Sequence, residues 1–371
     1  MIISLIVTFL LFFLPFLVFP IHPSYFETPK IYLAEISIII ISILGALHSD
    51  PKKIFHYKIP SILFGMFFLL SLSHLLFHPT SLTILGNQFR QQGVLLLWLL
   101  LLFSYFSSMS SFTRIPLWIL TFLIGIEFLA SISITVTLNA RAVGTLGEPN
   151  ALASFVVFLW PFVVFQNYKD KQSKILLSIA TVLIFLIILM SGSRSGLIAF
   201  ALECIFFCLY AFLHISIPKA TIVGLILFFA SLFLPFFQTQ TVYENRSEIW
   251  STALIAGYEH PITGWGFGNT EIALTQYDKK LFNRLQGYYV DSSHNIFLDF
   301  WIQGGFVGMT LFVCLLYMSL RLLVEKHAVQ YIGLLLGLLV TLSFNPTSIV
   351  TLLAFWWLLG QAFFRPTLTA A

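Results

Sequence analysis

The sequence predicts an all-α, polytopic integral membrane protein with about twelve transmembrane helices and one large external loop. Hydrophobic residues make up 58% of the 371 positions, charged residues make up only 9%, and the mean hydropathy is +0.95. A soluble domain of this size could not present so little charge to water. The apolar runs that predict the spans are centred in 2–18, 31–47, 59–76, 93–105, 115–138, 151–165, 175–190, 197–214, 221–237, 296–323, 331–344 and 349–364.

The basic residues predict how these spans are oriented. The first span has no basic segment before it and a poor cleavage site after it, which is typical of a retained helix rather than a signal peptide. The excess of Lys and Arg in one set of loops favours cytoplasmic N- and C-termini. A single transmembrane domain is therefore expected over 1–371, with the polar stretch 238–295 external (periplasmic), between the ninth and tenth spans.

The composition and the cysteines argue against several kinds of partner. The net charge of +4 is small and dispersed, so no nucleic acid is expected, and membrane lipids are the expected surroundings. Cys204, Cys208 and Cys314 all fall inside predicted helices and have no zinc-site spacing. The external side has no Asp-x-Asp pair and no cluster with metal-ligand spacing, so neither a metal nor another cofactor is expected.

The long polar stretch begins with a predicted helix that carries a cation. Arg246 and Trp250 stand four residues apart, on one face of a short helix expected from Glu244 toward Ala256. Two interpretations stay open here. The helix either binds an anionic ligand or lies at the bilayer surface, with an aromatic anchor and an ion pair to Glu248.

A glycine-rich motif follows, Gly264-Trp-Gly266-Phe-Gly268-Asn269. It lacks the strand-to-helix context and the Gly-Lys-Ser/Thr ending that nucleotide-binding loops require, so nucleotide binding is rejected. Alternating glycines and aromatic residues instead predict a tight loop that approaches a ligand or a helix closely, with its two aromatic rings available to sugar faces.

The sequence Asp291-Ser-Ser-His294-Asn295 leads directly into the tenth predicted span. His294 is therefore expected at the outer mouth of the membrane, where a neutral imidazole can accept a proton near neutral pH. A lone histidine is more often a satisfied polar residue than a catalyst. Two ligand-like arginines nearby favour the catalytic interpretation.

Two further motifs lie between apolar helices. Ser191-Gly-Ser193-Arg194-Ser-Gly places a cation at the outer interface among small residues, either open to a ligand or directed toward lipid headgroups. Gly147-Glu148-Pro-Asn150 begins a predicted helix, whose free backbone N–H groups attract anions. An ordinary capped membrane helix explains that motif equally well.

Taken in this order, the motifs resemble the O-antigen ligase and polymerase superfamily of membrane glycosyltransferases, from about Arg90 to Gly305. The resemblance implies a GT-C-like architecture and an enzyme that acts without a metal on the external face of the inner membrane. Its expected donor is a glycan on undecaprenyl pyrophosphate, and its expected acceptor is a hydroxyl of a lipid or a glycan.

The resemblance also implies roles for individual residues. Arg194 and Arg246 would hold the pyrophosphate, and His294 would activate the acceptor hydroxyl. These roles agree with the chemistry, because displacement at an anomeric carbon requires a neutralised leaving group and removal of a proton. No carboxylate pair is placed for double displacement, so inversion is expected. The residues expected to contact substrate are Arg90, Glu148, Asn150, Ser193, Trp250, Gly264, Gly266, Gly268, Asn269 and Asn295.

Other functions remain open at this level. The family includes ligases, polysaccharide polymerases and protein-glycosylating members with the same core motifs. A transporter or flippase of lipid-linked sugars is a second possibility, in which Glu35, Glu127 and Glu203 would form a proton path. Transporters usually show two related halves, which this sequence lacks. A wall-polymer synthase would require an essential external carboxylate, for which Asp291 is the candidate.

Overall fold

The computed structural model describes residues 2–48, 58–77, 79–109, 115–166, 170–237, 246–277 and 290–365. Within these residues the chain forms helices and no strands, which confirms the all-α prediction. The helices are α1 Ile2–Phe12, α2 Thr28–His48, α3 Lys58–Phe77, α4 Ser81–Leu85, α5 Val94–Ser108, α6 Leu117–Leu138, α7 Pro149–Val164, α8 Lys171–Ser191, α9 Arg194–Ala211, α10 Ile217–Ser231, α11 Arg246–Glu259, α12 Thr270–Tyr277, α13 Ile296–Glu325, α14 Val329–Phe344 and α15 Ile349–Phe364.

An apolar helix occurs at each of the twelve predicted places. Six of them, among the described residues, are long and apolar enough to cross a membrane, and six are shorter, with 10–17 residues. Two of the shorter helices end early for a visible reason. Pro15 and Pro235 lie in short 3-10 turns that follow α1 and α10, and proline cannot continue an α-helix because it lacks the backbone N–H.

The centre of the bundle is formed by α14 and α15. Every residue of both helices is buried, which fits sequences that are apolar on all faces. They are surrounded by α5, α7, α9 and α13, which pack against them. The four-residue corner that joins them, Asn345–Ser348, therefore lies in the middle of one end of the bundle.

Four helices begin at this same end, and each is capped by a polar side chain. Glu148 caps α7, Ser193 caps α9, Asn295 caps α13 and Ser348 caps α15. Side-chain caps satisfy backbone N–H groups that have no partner inside the helix. Because each helix N-terminus carries a partial positive charge, their convergence makes this end of the bundle favourable for anions.

The helix α13 is broken near its start. Gly305 has φ 59° and ψ −155°, which divides α13 into a short first segment and a long second one. The break frees backbone groups on both sides, and the segment before the glycine motif satisfies them. Trp265 N and Gly266 N donate to carbonyls at 302 and 303, and the N–H groups at 306 and 307 donate to carbonyls at 261 and 262.

Candidate active site

Three loops meet at the end of the bundle where the four helices begin. They are the turn before α5, the segment before α13 and the corner between α14 and α15. Arg90 joins all three, because its Nε lies 2.6 Å from Asp291 Oδ2 and its Nη1 donates to Thr347 O at 3.1 Å. Gln92 adds a reciprocal pair with Thr347, with both hydrogen bonds at 2.8 Å.

A second chain of hydrogen bonds reaches the same corner from the opposite side. Ser193 Oγ donates to Asn150 Oδ1 at 2.9 Å and lies 3.0 Å from Ser195 Oγ. Asn345 Nδ2 in turn donates to Ser195 Oγ at 2.8 Å. The Ser191–Ser195 turn and the motif at Asn150, which are distant in sequence, are therefore fixed to the corner between α14 and α15.

The imidazole of His294 is buried, with 5% of the residue exposed. Its backbone has φ 57°, a left-handed conformation that non-glycine residues adopt only when their surroundings impose it. Those surroundings include Asp299, which accepts hydrogen bonds from Ser292 Oγ at 2.9 Å and Ser293 N at 2.8 Å. The Nδ1 atom of His294 has no hydrogen-bond partner among the described residues.

Burial lowers the pKa of His294 well below its ordinary value of 6.5, and the positive charges of Arg246 and Arg90 lower it further. The imidazole is therefore neutral at physiological pH. A neutral imidazole with an unpaired ring nitrogen is able to accept a proton. The contact of Arg90 with Asp291 places one of these charges at the start of the segment that carries His294.

Arg246 is the first described residue of α11, and the predicted start of this helix, Glu244, lies outside the described residues. One turn later, Trp250 is only 5% exposed, and its ring packs against Phe344 at a centroid distance of 5.7 Å. Trp250 is thus a core residue rather than an aromatic anchor at the bilayer surface. Its contact fixes α11, and with it Arg246, beside the corner that begins at Asn345.

Arg194 is the first residue of α9, and its side chain is exposed. Its guanidinium makes no hydrogen bond or ion pair with any part of the chain that the structure describes. Arg141, by contrast, donates from Nε to Ser191 O at 2.7 Å and from Nη2 to Asn150 Oδ1 at 3.4 Å. Arg141 thus supports the turn that carries Arg194, a role that sequence reasoning missed.

The glycine motif packs against two helices through its backbone. A Cβ on Gly264 would lie 2.5 Å from the carbonyl of Gln303, and one on Gly268 would meet the carbonyl of Leu82 in α4. Asn269 Nδ2 holds the loop to α4 through Thr83 Oγ1 at 3.1 Å. A Cβ on Gly266 would meet only side chains, the nearest atom at 3.1 Å. The glycines therefore allow close approach to a helix, one of the two predicted uses.

The two aromatic rings of this motif have different surroundings. Phe267 is 3% exposed and packs against His74 and Phe300. Trp265 is partly exposed, and its Nε1 donates to Ala256 O at 2.8 Å. The expectation that both rings are available to sugars is thus wrong for Phe267.

Two adjoining cavities lie beside the His294 segment. The first is polar, and the second is apolar and extends into the bundle between α5, α13 and α15. Gln92, Asp299 and Gln303 line both cavities, so the two lie side by side. The rest of the polar cavity is lined by Asn87, Arg90, Gly268, Thr270, Asp291 and Ser292.

The three carboxyl groups considered for a proton path have separate surroundings. Glu127 accepts hydrogen bonds from the backbone N–H and the hydroxyl of Thr145, while Glu203 is fully buried beside Gly337. Glu35 lines a different cavity near the chain surface. Among the described residues, no group of three or more His, Cys, Asp or Glu is placed to hold a metal ion.

A family model described as O-antigen ligase matches residues 179–313. This range contains the turn with Arg194, the helix with Arg246, the glycine motif and His294. Over this range the chain is similar to the O-antigen ligase family.

One similar protein is the ComP-specific O-oligosaccharyltransferase of Acinetobacter baylyi (strain ATCC 33305 / BD413 / ADP1). It is 22% identical over 231 residues, which cover 55% of this chain and 42% of the relative. The chain thus matches less than half of the length of that protein. The name of that protein describes an oligosaccharyltransferase.

Proposed function

We propose that this protein is a metal-independent, inverting glycosyltransferase that moves a glycan from an undecaprenyl-pyrophosphate carrier to an acceptor hydroxyl, at the external face of the inner membrane. The observation that carries the proposal is the neutral, buried His294, with an unpaired Nδ1 and Arg246 nearby. Glycosyl transfer to a hydroxyl needs both a proton acceptor and a stabilised leaving group.

Arg194 and Arg246 bind the pyrophosphate of the donor in this proposal. Both belong to elements that are fixed to the Phe344–Asn345 end of α14, through Trp250 for α11 and Ser195 for α9. The planar guanidinium group suits bidentate binding of phosphate. The N-termini of α7, α9, α13 and α15 add partial positive charge at the same end. Glu148, Asn150, Ser193 and Asn295 contribute by shaping these N-termini.

The acceptor enters through the polar cavity beside the His294 segment. Its lining pairs Arg90 with Asp291 and leaves Asp299 as a further carboxyl group, so it offers no excess positive charge for a phosphate. Amide, hydroxyl and carboxyl groups instead form hydrogen bonds with sugar hydroxyls. His294 takes the proton of the acceptor hydroxyl as that oxygen attacks the anomeric carbon, and the lipid pyrophosphate leaves from the opposite side.

Binding of the donor also tunes the base. Arg246 and Arg90 lower the pKa of His294 in the free enzyme. A bound pyrophosphate offsets part of this positive charge, which raises the pKa of the imidazole and makes it a stronger base. The proton acceptor is thereby strengthened when the leaving group is in place.

Polymerases and protein-glycosylating enzymes of this superfamily would use the same chemistry with another acceptor. A transporter is not proposed, because the polar groups gather at one end of the bundle and transporter sites lie near the midplane.

Reconstitution of the full chain in lipid nanodiscs tests the proposal. The protein is mixed with an undecaprenyl-pyrophosphate glycan and, separately, with a glycolipid, a second lipid-linked glycan and a hydroxyl-bearing peptide. The proposal predicts transfer to at least one acceptor in excess chelator, with inversion at the anomeric carbon seen by NMR of the product. Transfer that stops in chelator, or that retains configuration, would refute it.

A further inference from the structure

The ion pair between Arg90 and Asp291 connects two loops that the sequence separates by about two hundred residues. Their closest atoms lie 2.6 Å apart, with side-chain exposures of 22% for Arg90 and 9% for Asp291. A well-shielded pair of this kind holds its two loops far more firmly than an exposed surface pair does. The sequence placed Arg90 among the residues that contact substrate, but its contacts indicate another use.

The guanidinium of Arg90 is already engaged on two sides. Its Nε is bound by Asp291, and its Nη1 donates to the carbonyl of Thr347. The turn that carries it is also fixed, since Arg90 N donates to Asn87 Oδ1 at 2.8 Å. These bonds determine the direction of the side chain before any ligand arrives, and they contrast with the exposed guanidinium of Arg194.

The segment that Arg90 holds is the one that carries His294. Asp291 fixes its beginning, while its end is fixed by Asn295, whose Oδ1 accepts from Phe297 N at 2.9 Å. His294 lies between these two points in a left-handed conformation. Such a conformation persists only where neighbouring contacts impose it, so release of one end would allow His294 to relax.

The other partner of Arg90 connects this segment to the donor side. Thr347 is two residues from Asn345, which bonds Ser195 next to Arg194. Arg90 therefore fixes the distance between the proposed base and the proposed pyrophosphate ligands. Misplacement of a reacting group by about 1 Å is enough to cost about 10²-fold in rate.

We propose, on the basis of the function proposed above, that Arg90 and Asp291 together are positioning residues that hold the His294 imidazole against the corner between α14 and α15. Arg90 acts through Asp291 and does not bind the donor.

The test compares Arg90→Gln with Asp291→Asn, separately and combined. If the pair positions His294, each single variant lowers turnover by about 10²-fold, and the double variant is no worse than either. Donor affinity stays within about threefold of the wild type, as for a residue that does not touch the ligand. If Arg90 instead binds pyrophosphate, only Arg90→Gln weakens donor binding, and Asp291→Asn leaves or improves it. That second result would overturn the proposal.

A titration of His294 gives a readout that does not depend on activity. The protein is labelled with ¹⁵N-histidine in nanodiscs, and His294→Gln assigns its signal among the nine histidines. Among the described residues, the charged groups that act on His294 are Arg246 and Arg90 on neighbouring elements, and Asp291 and Asp299 lie on its own segment. Removal of the Asp291 charge alone would lower the pKa of the imidazole, whereas release into water would raise it.

Positioning therefore predicts that Asp291→Asn and Arg90→Gln both raise the pKa of His294 toward its ordinary value. An unchanged or lowered pKa in Asp291→Asn would contradict positioning, even if no transfer substrate has been found. Arg90→Lys keeps a positive charge beside Asp291 and should retain much of the turnover. If Arg90 instead bound phosphate through its bidentate guanidinium, Arg90→Lys would lose that turnover. The matched control is the exposed pair Arg321 and Glu325 at the far end of α13, where Arg321→Gln should change neither readout.

Discussion

The two sides of the His294 segment differ in how their cations are used. On one side, Arg194 is exposed and its guanidinium has no partner among the described residues. On the other side, Arg90 is bound to Asp291 and to Thr347, inside a cavity with a further carboxyl group. A cation that is open to solvent can bind an anion, whereas a cation that is neutralised within the protein organises it. In the function proposed above, this difference separates a donor side from an acceptor side.

The largest effect on turnover is expected for His294, which lies between the two sides. His294→Ala should lower turnover by about 10²–10⁴-fold, the usual cost of losing a general base. The affinity for the donor should survive, because in the function proposed above Arg194 and Arg246 hold the pyrophosphate. Turnover and donor binding are measured on the same nanodisc sample. Loss of donor binding would make His294 part of the pyrophosphate site, and normal turnover would remove it from the chemistry.

A smaller effect is expected on the donor side. Arg194→Lys and Arg246→Lys should each weaken donor binding by about 10–100-fold, although the charge is kept, because the bidentate fork is lost. Equilibrium binding of the lipid pyrophosphate checks this. Arg321→Lys, in the ion pair at the far end of α13, is the matched control and should leave binding unchanged. Near-normal donor binding in both site variants would show that these arginines do not recognise phosphate.

Substitutions in the glycine motif should destabilise the protein to different extents at different positions. Gly264→Ala forces a side chain onto the backbone at Gln303 and a left-handed φ of 77°, at a cost of about 1–3 kcal/mol. Gly266→Ala, with φ 93°, carries similar backbone strain but meets only side chains. The midpoint temperature of thermal unfolding should therefore fall further for Gly264→Ala than for Gly266→Ala. Equal loss in both variants would show that packing on the broken helix is not the reason for the motif.

The smallest effect is a shift in pH dependence. Because burial and Arg246 lower the pKa of His294, the base stays neutral as pH falls below 6.5. The value of kcat/KM should therefore be flat down to pH values below 6.5 and decline only as the lowered pKa is reached. Arg246→Gln should move this acid limb to higher pH, since a positive charge is removed. If the acid limb does not move in Arg246→Gln, the charge of Arg246 does not affect the pKa of His294.

The sequence predicted the bundle well because twelve apolar runs dominate its pattern. It also made Arg194, Arg246 and His294 candidates for the site, since fixed charge and imidazole stand out in an apolar chain, and their roles stay a prediction. It missed the break at Gly305, because the adjacent glycines Gly304 and Gly305 within an apolar run do not by themselves reveal left-handed backbone. It also missed Asn345, because a short polar corner between two spans has the composition of an ordinary turn.

The roles of paired residues were the hardest to predict. Arg90 and Asp291 each have an obvious possible function alone, as a phosphate ligand and as an essential carboxylate. Only the 2.6 Å contact between them shows that each neutralises the other. Arg141 was likewise one basic residue among many until its contacts with Ser191 and Asn150 placed it under the turn that carries Arg194. Pairing between distant segments leaves no local pattern in the sequence.

The most direct test of the division into a donor side and an acceptor side is the pKa of His294 with and without a bound lipid pyrophosphate. The ¹⁵N-histidine-labelled protein is titrated in nanodiscs alone, with farnesyl pyrophosphate, and with farnesol as the uncharged control. The account predicts that the pyrophosphate raises the pKa of His294 by offsetting the charge of Arg246, that farnesol does not, and that Arg194→Lys weakens the response. A pKa that is the same in all three samples, with farnesyl pyrophosphate shown to be bound, would contradict it.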